Sequence, residues 1–239
     1  MKFAVQPCFP ADAPGLAATM MGARLTDPHW ARQWEDDVLH SDIISRAADR
    51  VPWNLITGRD TKRHEKVIDV ESGQVVGYAR WLLPPHLEKD FWPEAQVAAA
   101  IPEDRARYEK LSQAQTINGR PIGLKSGPEM SYRSAPLEAA DERVTRHGPF
   151  LTLDYLTTDP AFWRRGVGTK LVESGLRVAD QYKLKTYVMS EPAALKLYLN
   201  LGFELVETVA TDYSQYGGTE PMVHHFLVRE PHVSSVVID

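Results

Sequence analysis

A basic loop with two glycines, at residues 164–170, is the stretch of this sequence best suited to chemistry. It reads RRGVGTK and follows a strand-like run and a turn marked by Pro160. Gly166 and Gly168 let the backbone turn tightly and approach a ligand. The helix predicted to begin at Gly168 offers unpaired N–H groups and a partial positive charge at its first turn. The loop therefore predicts a site for a pyrophosphate or a similar anion.

Two known phosphate-binding motifs fail on spacing. A dinucleotide fingerprint, G-x-G-x-x-G, would need a glycine where the chain has Leu171. A P-loop needs a lysine directly after its last glycine, but Thr169 separates Gly168 from Lys170. The loop alone leaves two alternatives open, an anion site of another kind or a glycine-rich turn before an ordinary helix.

The loop resembles motif A of the GNAT acetyltransferases, whose core is [QR]-x-x-G-x-[GA] after a strand that ends near a proline. The preceding run, LDYLTTDP, is similar to that of fungal-type members. A second segment, ALKLYLNLGFE at 194–204, resembles the family's A-x-x-L-Y-x-x-x-G-F-E segment and lies at the expected distance downstream. The resemblance covers residues 150–209. One position departs from it, because Trp163 stands at the [QR] site and can neither accept a hydrogen bond nor carry a charge.

The resemblance implies acetyl-CoA as co-substrate and no metal. In the family the pantetheine arm inserts between a splayed fourth and fifth strand and bonds main-chain groups at the end of the fourth. The matching positions here are Leu156, Thr157 and Thr158, and Ser190 at the end of the fifth strand is a further expected contact. The pyrophosphate is expected on the loop and the helix start, at Arg164, Arg165, Gly166, Val167, Gly168, Thr169 and Lys170.

The resemblance also implies direct attack of an amine on the thioester, which requires a neutral amine and a proton acceptor. The two-residue period of a strand predicts that Thr152, Asp154 and Leu156 share one face. Asp154 is the predicted base, acting through water, and the alternative is an Asp that bonds a neighbouring loop. His147 is a second candidate. Tyr198 matches the tyrosine that protonates the departing thiolate, and the alternative is a core tyrosine on an apolar helix face.

The elements that must position these residues alternate between strand and helix. Strand patterns at 150–156 and 184–189 alternate with helical patterns at 168–182 and 191–201. A strand, two helices and a hairpin precede them, and two strands follow, so the predicted class is mixed α/β or α+β. The resemblance implies the GNAT fold, a mostly antiparallel mixed sheet with splayed fourth and fifth strands. We expect a single domain over 1–239 with an insertion at about 85–147, either a lid or a plain surface excursion.

Composition excludes several classes of protein. The net charge of −5 argues against nucleic-acid binding. Cys8 is the only cysteine, so no internal disulfide can form. No signal peptide and no membrane span are evident, and we expect a cytoplasmic protein. His224 and His225 alternate across the last strand without a third ligand nearby, which does not favour a metal site.

These observations predict an acetyl-CoA-dependent N-acetyltransferase that acts on a small-molecule amine, with no nucleic-acid or membrane partner. A CoA-binding sensor without catalysis is one alternative. Transfer of another acyl group, or transfer to a hydroxyl or a protein amine, is another. The sequence does not reveal the oligomeric state and is compatible with a homodimer.

Overall fold

A seven-stranded sheet with helices on both faces forms the centre of the protein. The computed structural model describes residues 2–87, 91–125, 135–214 and 218–232. The sheet strands are β1 (Phe3–Pro7), β2 (Lys62–Asp69), β3 (Val75–Leu82), β6 (Phe150–Thr158), β7 (Lys185–Ser190), β8 (Glu204–Thr211) and β9 (Met222–Arg229). Their order is β1-β2-β3-β6-β7-β9-β8, and every pair is antiparallel except β6 with β7. The predicted fold class is confirmed.

Two groups of helices cover opposite faces of this sheet. The helices are α1 (Ala13–Arg24), α2 (Pro28–Ala31), α3 (His40–Ile56), α4 (Pro102–Ala114), α5 (Ala135–Thr145), α6 (Val167–Gln181) and α7 (Pro192–Asn200). Residues of α1 and α3 share one apolar cluster with Tyr78 and Tyr155. Residues of α6 and α7 share another cluster with Trp81 and Leu153, on the opposite side of the sheet. We call these two sides the α1 face and the α6 face.

The α6 face is held by close packing between helix and sheet. Trp81 of β3 is fully buried, and its indole lies directly against Gly175 in the middle of α6. A Cβ at residue 175 would overlap the indole ring, so only glycine lets the helix lie this close. Burying a side chain of this size removes a large apolar area from water and fixes α6 on the sheet.

The predicted insertion at 85–147 contributes to the packing in its described parts. The guanidinium of Arg63, buried on β2, donates to the main-chain oxygens of Phe91 and Trp92 and holds that segment against the sheet. The hairpin of β4 (Thr116–Ile117) and β5 (Arg120–Pro121) follows α4. Helix α5, which the sequence pattern did not predict, packs against β8 and β9. Residues 88–90 and 126–134 of the predicted insertion lie outside the described residues.

Strands β6 and β7 separate partway along their length. Their parallel pairing runs from Phe150 opposite Lys185 to Leu153 opposite Val188 and then ends. Strand β6 continues to Thr158 with β3 as its partner, whereas β7 continues to Ser190 with β9. The sheet therefore opens between the ends of its two central strands.

An irregularity in β6 lies where this opening begins. Opposite Arg80 the register shifts, and both Asp154 and Tyr155 lie on the α1 face. Leu156 consequently packs on the α6 face. The prediction that Thr152, Asp154 and Leu156 share a face is therefore wrong for Leu156, because a bulge adds one residue and reverses the alternation beyond it.

Candidate active site

The free edge of β6 offers main-chain groups to the opening between the strands. The Asp159 N–H donates to the Val76 oxygen at 2.9 Å, which fixes the phase of the β3–β6 ladder. Residues of an antiparallel strand bond to their partner alternately, so Thr157 directs its main-chain groups toward β3. Leu156 and Thr158 direct theirs into the opening. Of the three residues expected to bond a pantetheine arm, two have this orientation, and the register turns Thr157 away.

The side chain of Trp163 holds the loop that follows β6 against the end of that strand. Its indole Nε1 donates to the main-chain oxygen of Thr158 at 2.8 Å, although the side chain is 49% exposed. Asp159 accepts from the Ala161 N–H at 2.9 Å and shapes the turn before it. Tryptophan thus orders the loop by donating a hydrogen bond, without the charge that arginine would bring to this position.

The loop enters α6 through left-handed backbone. Arg164 has a φ of 59° and Gly166 a φ of 82°, and Gly166 precedes the helix without any capping side chain. The Lys170 N–H donates to the Gly166 main-chain oxygen at 3.1 Å, which is the first hydrogen bond of the helix. The N–H groups of the first turn come before it and have no acceptor within the helix. These donors, the helix dipole and the neighbouring basic side chains favour an anion.

Glycine at residue 168 keeps the space between this helix start and the end of β6 open. A Cβ there would lie 3.5 Å from Leu197 Cδ2, 3.6 Å from Thr158 Oγ1 and 4.0 Å from Leu156 Cδ2. The first turn of α6, the end of β6 and α7 therefore converge on one point. A ligand with a phosphate on the helix start and an extended arm along β6 fits this arrangement.

Asp154, the predicted base, is ion-paired on the α1 face. Both Nε and Nη2 of Arg80 contact its Oδ2. The two side chains are 20% and 26% exposed, so water reaches the pair. The structure brings Asp154 to the start of the opening and gives it a fixed cationic partner, which no local pattern in the sequence indicates.

A buried histidine and tyrosine lie behind this pair. His64 Nδ1 is 2.8 Å from the hydroxyl of Tyr78, and both side chains are buried. Burial, and then the positive charges of Arg80 and its neighbours, lower the pKa of His64 to about 3. His64 is therefore neutral at physiological pH and adds no positive charge beside Arg80.

Tyr198 lies on α7 beside the end of β7. Its ring is 3% exposed and packs edge-on against Phe203 with 5.5 Å between centroids. Burial, followed by the negative charge of Glu191, raises the pKa of Tyr198 above its ordinary value. The phenol keeps its proton, which a proton donor requires. Ser190 was predicted to contact the cofactor. Its hydroxyl donates a hydrogen bond to the main-chain oxygen of Glu191 at 2.7 Å.

A group of residues that sequence reasoning missed spans the α1 side of the opening. Trp30 of α2 donates its indole N–H to Glu191 Oε1 at 2.8 Å. The guanidinium carbon of Arg24 lies 4.2 Å from the Trp30 ring centroid and 4.6 Å from that of Tyr155. Asp27 accepts from the main-chain N–H groups of His29 and Trp30, which holds α2 in place. No local pattern in the sequence indicates these partners.

The other candidates lie elsewhere or form no cluster. His147 is exposed and precedes β6 at the end opposite the opening. His224 faces inward on β9, and burial, then the charges of His225 and His29, lower its pKa to about 4. Among the described residues, no three His, Cys, Asp or Glu side chains are placed to hold a metal ion. No helix in that part of the chain has the length and apolar character needed to cross a membrane.

Solved structures with the same fold are numerous and distant in sequence. The C-terminal condensation domain of Ebony, solved with beta-alanyl-dopamine, has a TM-score of 0.61 and 13% identity, over 96% of this chain and 99% of its own. A histone acetyltransferase HPA2 and related acetyltransferase from Corynebacterium glutamicum has a TM-score of 0.58 and 16% identity, over 99% and 100%. Mosquito arylalkylamine N-acetyltransferase like 5b has a TM-score of 0.53 and 12% identity, over 95% and 99%. At these identities the likeness shows the fold alone.

Sequence comparison supplies the family. No curated protein gives a significant match to this chain. The model of the acetyltransferase (GNAT) family matches residues 29–203, which include the opened strands, the loop, α6 and α7. The chain belongs to the GNAT acetyltransferase family.

Proposed function

We propose that this protein transfers an acetyl group from acetyl-CoA to the amine of a small-molecule acceptor, by direct attack in a ternary complex. The observation that carries the proposal is the convergence of three features on Gly168: the opened β6–β7 pair, the uncapped start of α6, and α7 with Tyr198. Family membership supports an acyltransferase, and the shape of this site favours a thioester on a long arm.

The pyrophosphate and the pantetheine arm of the co-substrate each have a proposed position in the site. The pyrophosphate would lie on the first turn of α6, with Arg164, Arg165, Lys170 and Thr169 around it. The pantetheine arm would bond the main-chain groups of Leu156 and the N–H of Thr158, whose oxygen accepts from Trp163, with Ser190 across the opening. A site built from main-chain donors needs no residue at 163 beyond one that orders the loop, and Trp163 does so.

The proton chemistry divides between two faces of the sheet. The acceptor amine loses a proton before it attacks the thioester carbonyl, and Asp154 on the α1 face would receive that proton through water. A carbon–nitrogen bond then forms, the carbon–sulfur bond breaks, and the nitrogen loses its second proton to water, from which the Tyr198 phenol would be restored after the transfer. Tyr198, on the α6 side, would donate its proton to the thiolate that leaves.

Calorimetric titration with acetyl-CoA tests the cofactor site first. Wild-type protein should bind, and Gly168→Trp should not, because the indole would fill the point between α6 and β6. Gly22→Trp is the matched control, since no atom lies within 4 Å of a Cβ there. Equal binding by the wild type and Gly168→Trp would refute this placement.

Release of CoA over an amine panel then separates catalysis from binding alone. We expect Tyr198→Phe and Asp154→Asn each to reduce kcat by about 10²- to 10⁴-fold, the range for general acid–base groups, with acetyl-CoA affinity little changed. Tight binding of acetyl-CoA without CoA release for any amine would favour the alternative, a sensor or interaction protein.

A further inference from the structure

We propose that the acceptor is a small zwitterion, such as a free amino acid, whose carboxylate binds Arg24 and whose ammonium binds Glu191. This inference rests on the proposed function, because it names the substrate class of the same site. The inference is based on two opposite charges beside the opening in the sheet, Arg24 and Glu191. Both contact the indole ring of Trp30, which lies between them.

Arg24 is ordered by stacking and has its hydrogen-bonding edge available. Its guanidinium contacts the faces of Trp30 and Tyr155, which restrain it through cation–π attraction. It lies in the last turn of α1, where the helix dipole also favours a cation. Within the described residues, no carboxylate forms an ion pair with it. Its planar set of donors matches a carboxylate in two-point geometry.

Glu191 supplies the opposite charge at the other side of Trp30. The indole N–H occupies only Oε1 of Glu191, and no Lys or Arg among the described residues forms an ion pair with this carboxylate. Glu191 directly follows Ser190, the last residue of β7, beyond the point at which β6 and β7 separate. An ammonium at Glu191 would therefore lie next to the reacting end of the opening.

The position of Arg24 separates it from the phosphates of the co-substrate. Tyr155, on which it stacks, belongs to the α1 face, whereas Leu156 and the start of α6 belong to the other face. The bulge in β6 makes this division between adjacent residues. An anion at Arg24 would consequently belong to the acceptor.

Steady-state kinetics with matched acceptors tests the proposal. Each set contains an amino acid, its carboxamide and its decarboxylated amine, for example tyrosine, tyrosinamide and tyramine. We expect the preferred amino acid to exceed its decarboxylated amine in kcat/KM by about 10- to 100-fold, the range for losing a charge-assisted hydrogen bond. Arg24→Gln should remove most of that preference, and Arg24→Lys should keep part of it. Glu191→Gln should raise KM for every amine.

Arg105→Gln is the matched control. Arg105 also stacks on a tryptophan, at 4.9 Å from the Trp53 ring centroid, but its position on α4 is exposed and away from the opening. Its substitution should leave the acceptor preference unchanged. Thermal unfolding of each variant shows whether Arg24→Gln retains the fold, and Arg24→Lys provides the comparison if it does not.

The outcomes separate this inference from the proposed function. Equal kcat/KM for an amino acid and its decarboxylated amine, unchanged in Arg24→Gln, would overturn the zwitterion while leaving acetyl transfer intact. Absence of acetyl-CoA binding would overturn the proposed function instead. If no amine supports CoA release, calorimetry with the amino-acid panel in the presence of CoA decides, and failure of every amino acid to bind refutes the inference.

Discussion

Gly77 on β3 is where one added methyl group should separate α6 from the sheet. A Cβ at this position would lie 2.5 Å from Val167 Cγ1, 3.2 Å from Leu171 Cδ1 and 3.4 Å from the Thr157 oxygen. Carbon atoms pack best at about 3.5–4.0 Å, so Val167 would have to move by about 1 Å (3.5 minus 2.5). Because Val167 is the first residue of α6 and is buried, the helix start must move with it.

Two measurements follow for Gly77→Ala. Urea unfolding should show a loss of about 1–3 kcal/mol, the usual cost of overpacking a core. Calorimetry should show severalfold weaker acetyl-CoA binding, because the displaced turn carries the proposed pyrophosphate site. Gly22→Ala is the control, since a Cβ there meets no atom within 4 Å, and it should be neutral or stabilising by up to about 1 kcal/mol.

A double-mutant cycle with Val167→Ala identifies the cause. Removing the γ-methyl groups of Val167 makes room for the new methyl group, so the double variant should be more stable than the sum of the single effects predicts. Contacting pairs couple by about 0.5–3 kcal/mol. A Gly77→Ala protein as stable as the wild type, or a coupling energy near zero, would refute the close packing of α6 on β3.

Two further predictions concern the loop and the core. Trp163→Phe removes the hydrogen bond to the Thr158 oxygen, so unfolding should cost about 0.5–1.5 kcal/mol less and calorimetry should show weaker acetyl-CoA binding; unchanged affinity would mean that this bond does not order the loop. Burial raises the pKa of Glu65 from 4.5 to about 7, although Ser174 and Arg177 favour its charged form. The folded state therefore holds this proton to higher pH than the unfolded chain, so stability should fall by at most about 3 kcal/mol as pH rises through that interval. Urea unfolding at several pH values checks this, and an equal slope in Glu65→Gln would contradict it.

The elements of the proposed cofactor site could be located in the sequence because their signals are local. Gly166 and Gly168, the basic residues beside them and the helical period of α6 lie within one short stretch of sequence. The resemblance to the family then predicted that the two central strands separate. In the structure β6 and β7 separate after Leu153 and Val188. The proposed cofactor site depends mainly on main-chain groups, so a changed side chain at Trp163 did not hide it.

The proposed acceptor half could not be predicted because its contacts are distant in sequence. The indole of Trp30 contacts a carboxylate 161 residues away, and Arg24 of α1 stacks on Tyr155 of β6. Helix α5 was missed for a different reason. Its only buried residues are Leu137, Ala140 and Val144, and so few apolar positions give little periodic signal. The contacts of Trp30 and Arg24, and the packing of α5, all depend on the order of the strands in the sheet.

The bulge in β6 explains how one strand serves both halves. If Asp154 is left out, the other residues of β6 alternate as in a regular strand. The α1 face then has Thr152, Tyr155 and Thr157, and the α6 face has Leu153, Leu156 and Thr158. The extra residue therefore adds the Asp154 carboxylate to the α1 face, the proposed acceptor side, and leaves Leu156 and Thr158 on the α6 face. A strict two-residue alternation would place either Asp154 or Tyr155 on the α6 face, where apolar packing leaves no partner for the carboxylate. The proposed base and the ring that carries Arg24 can thus occupy adjacent positions because the ladder is irregular there.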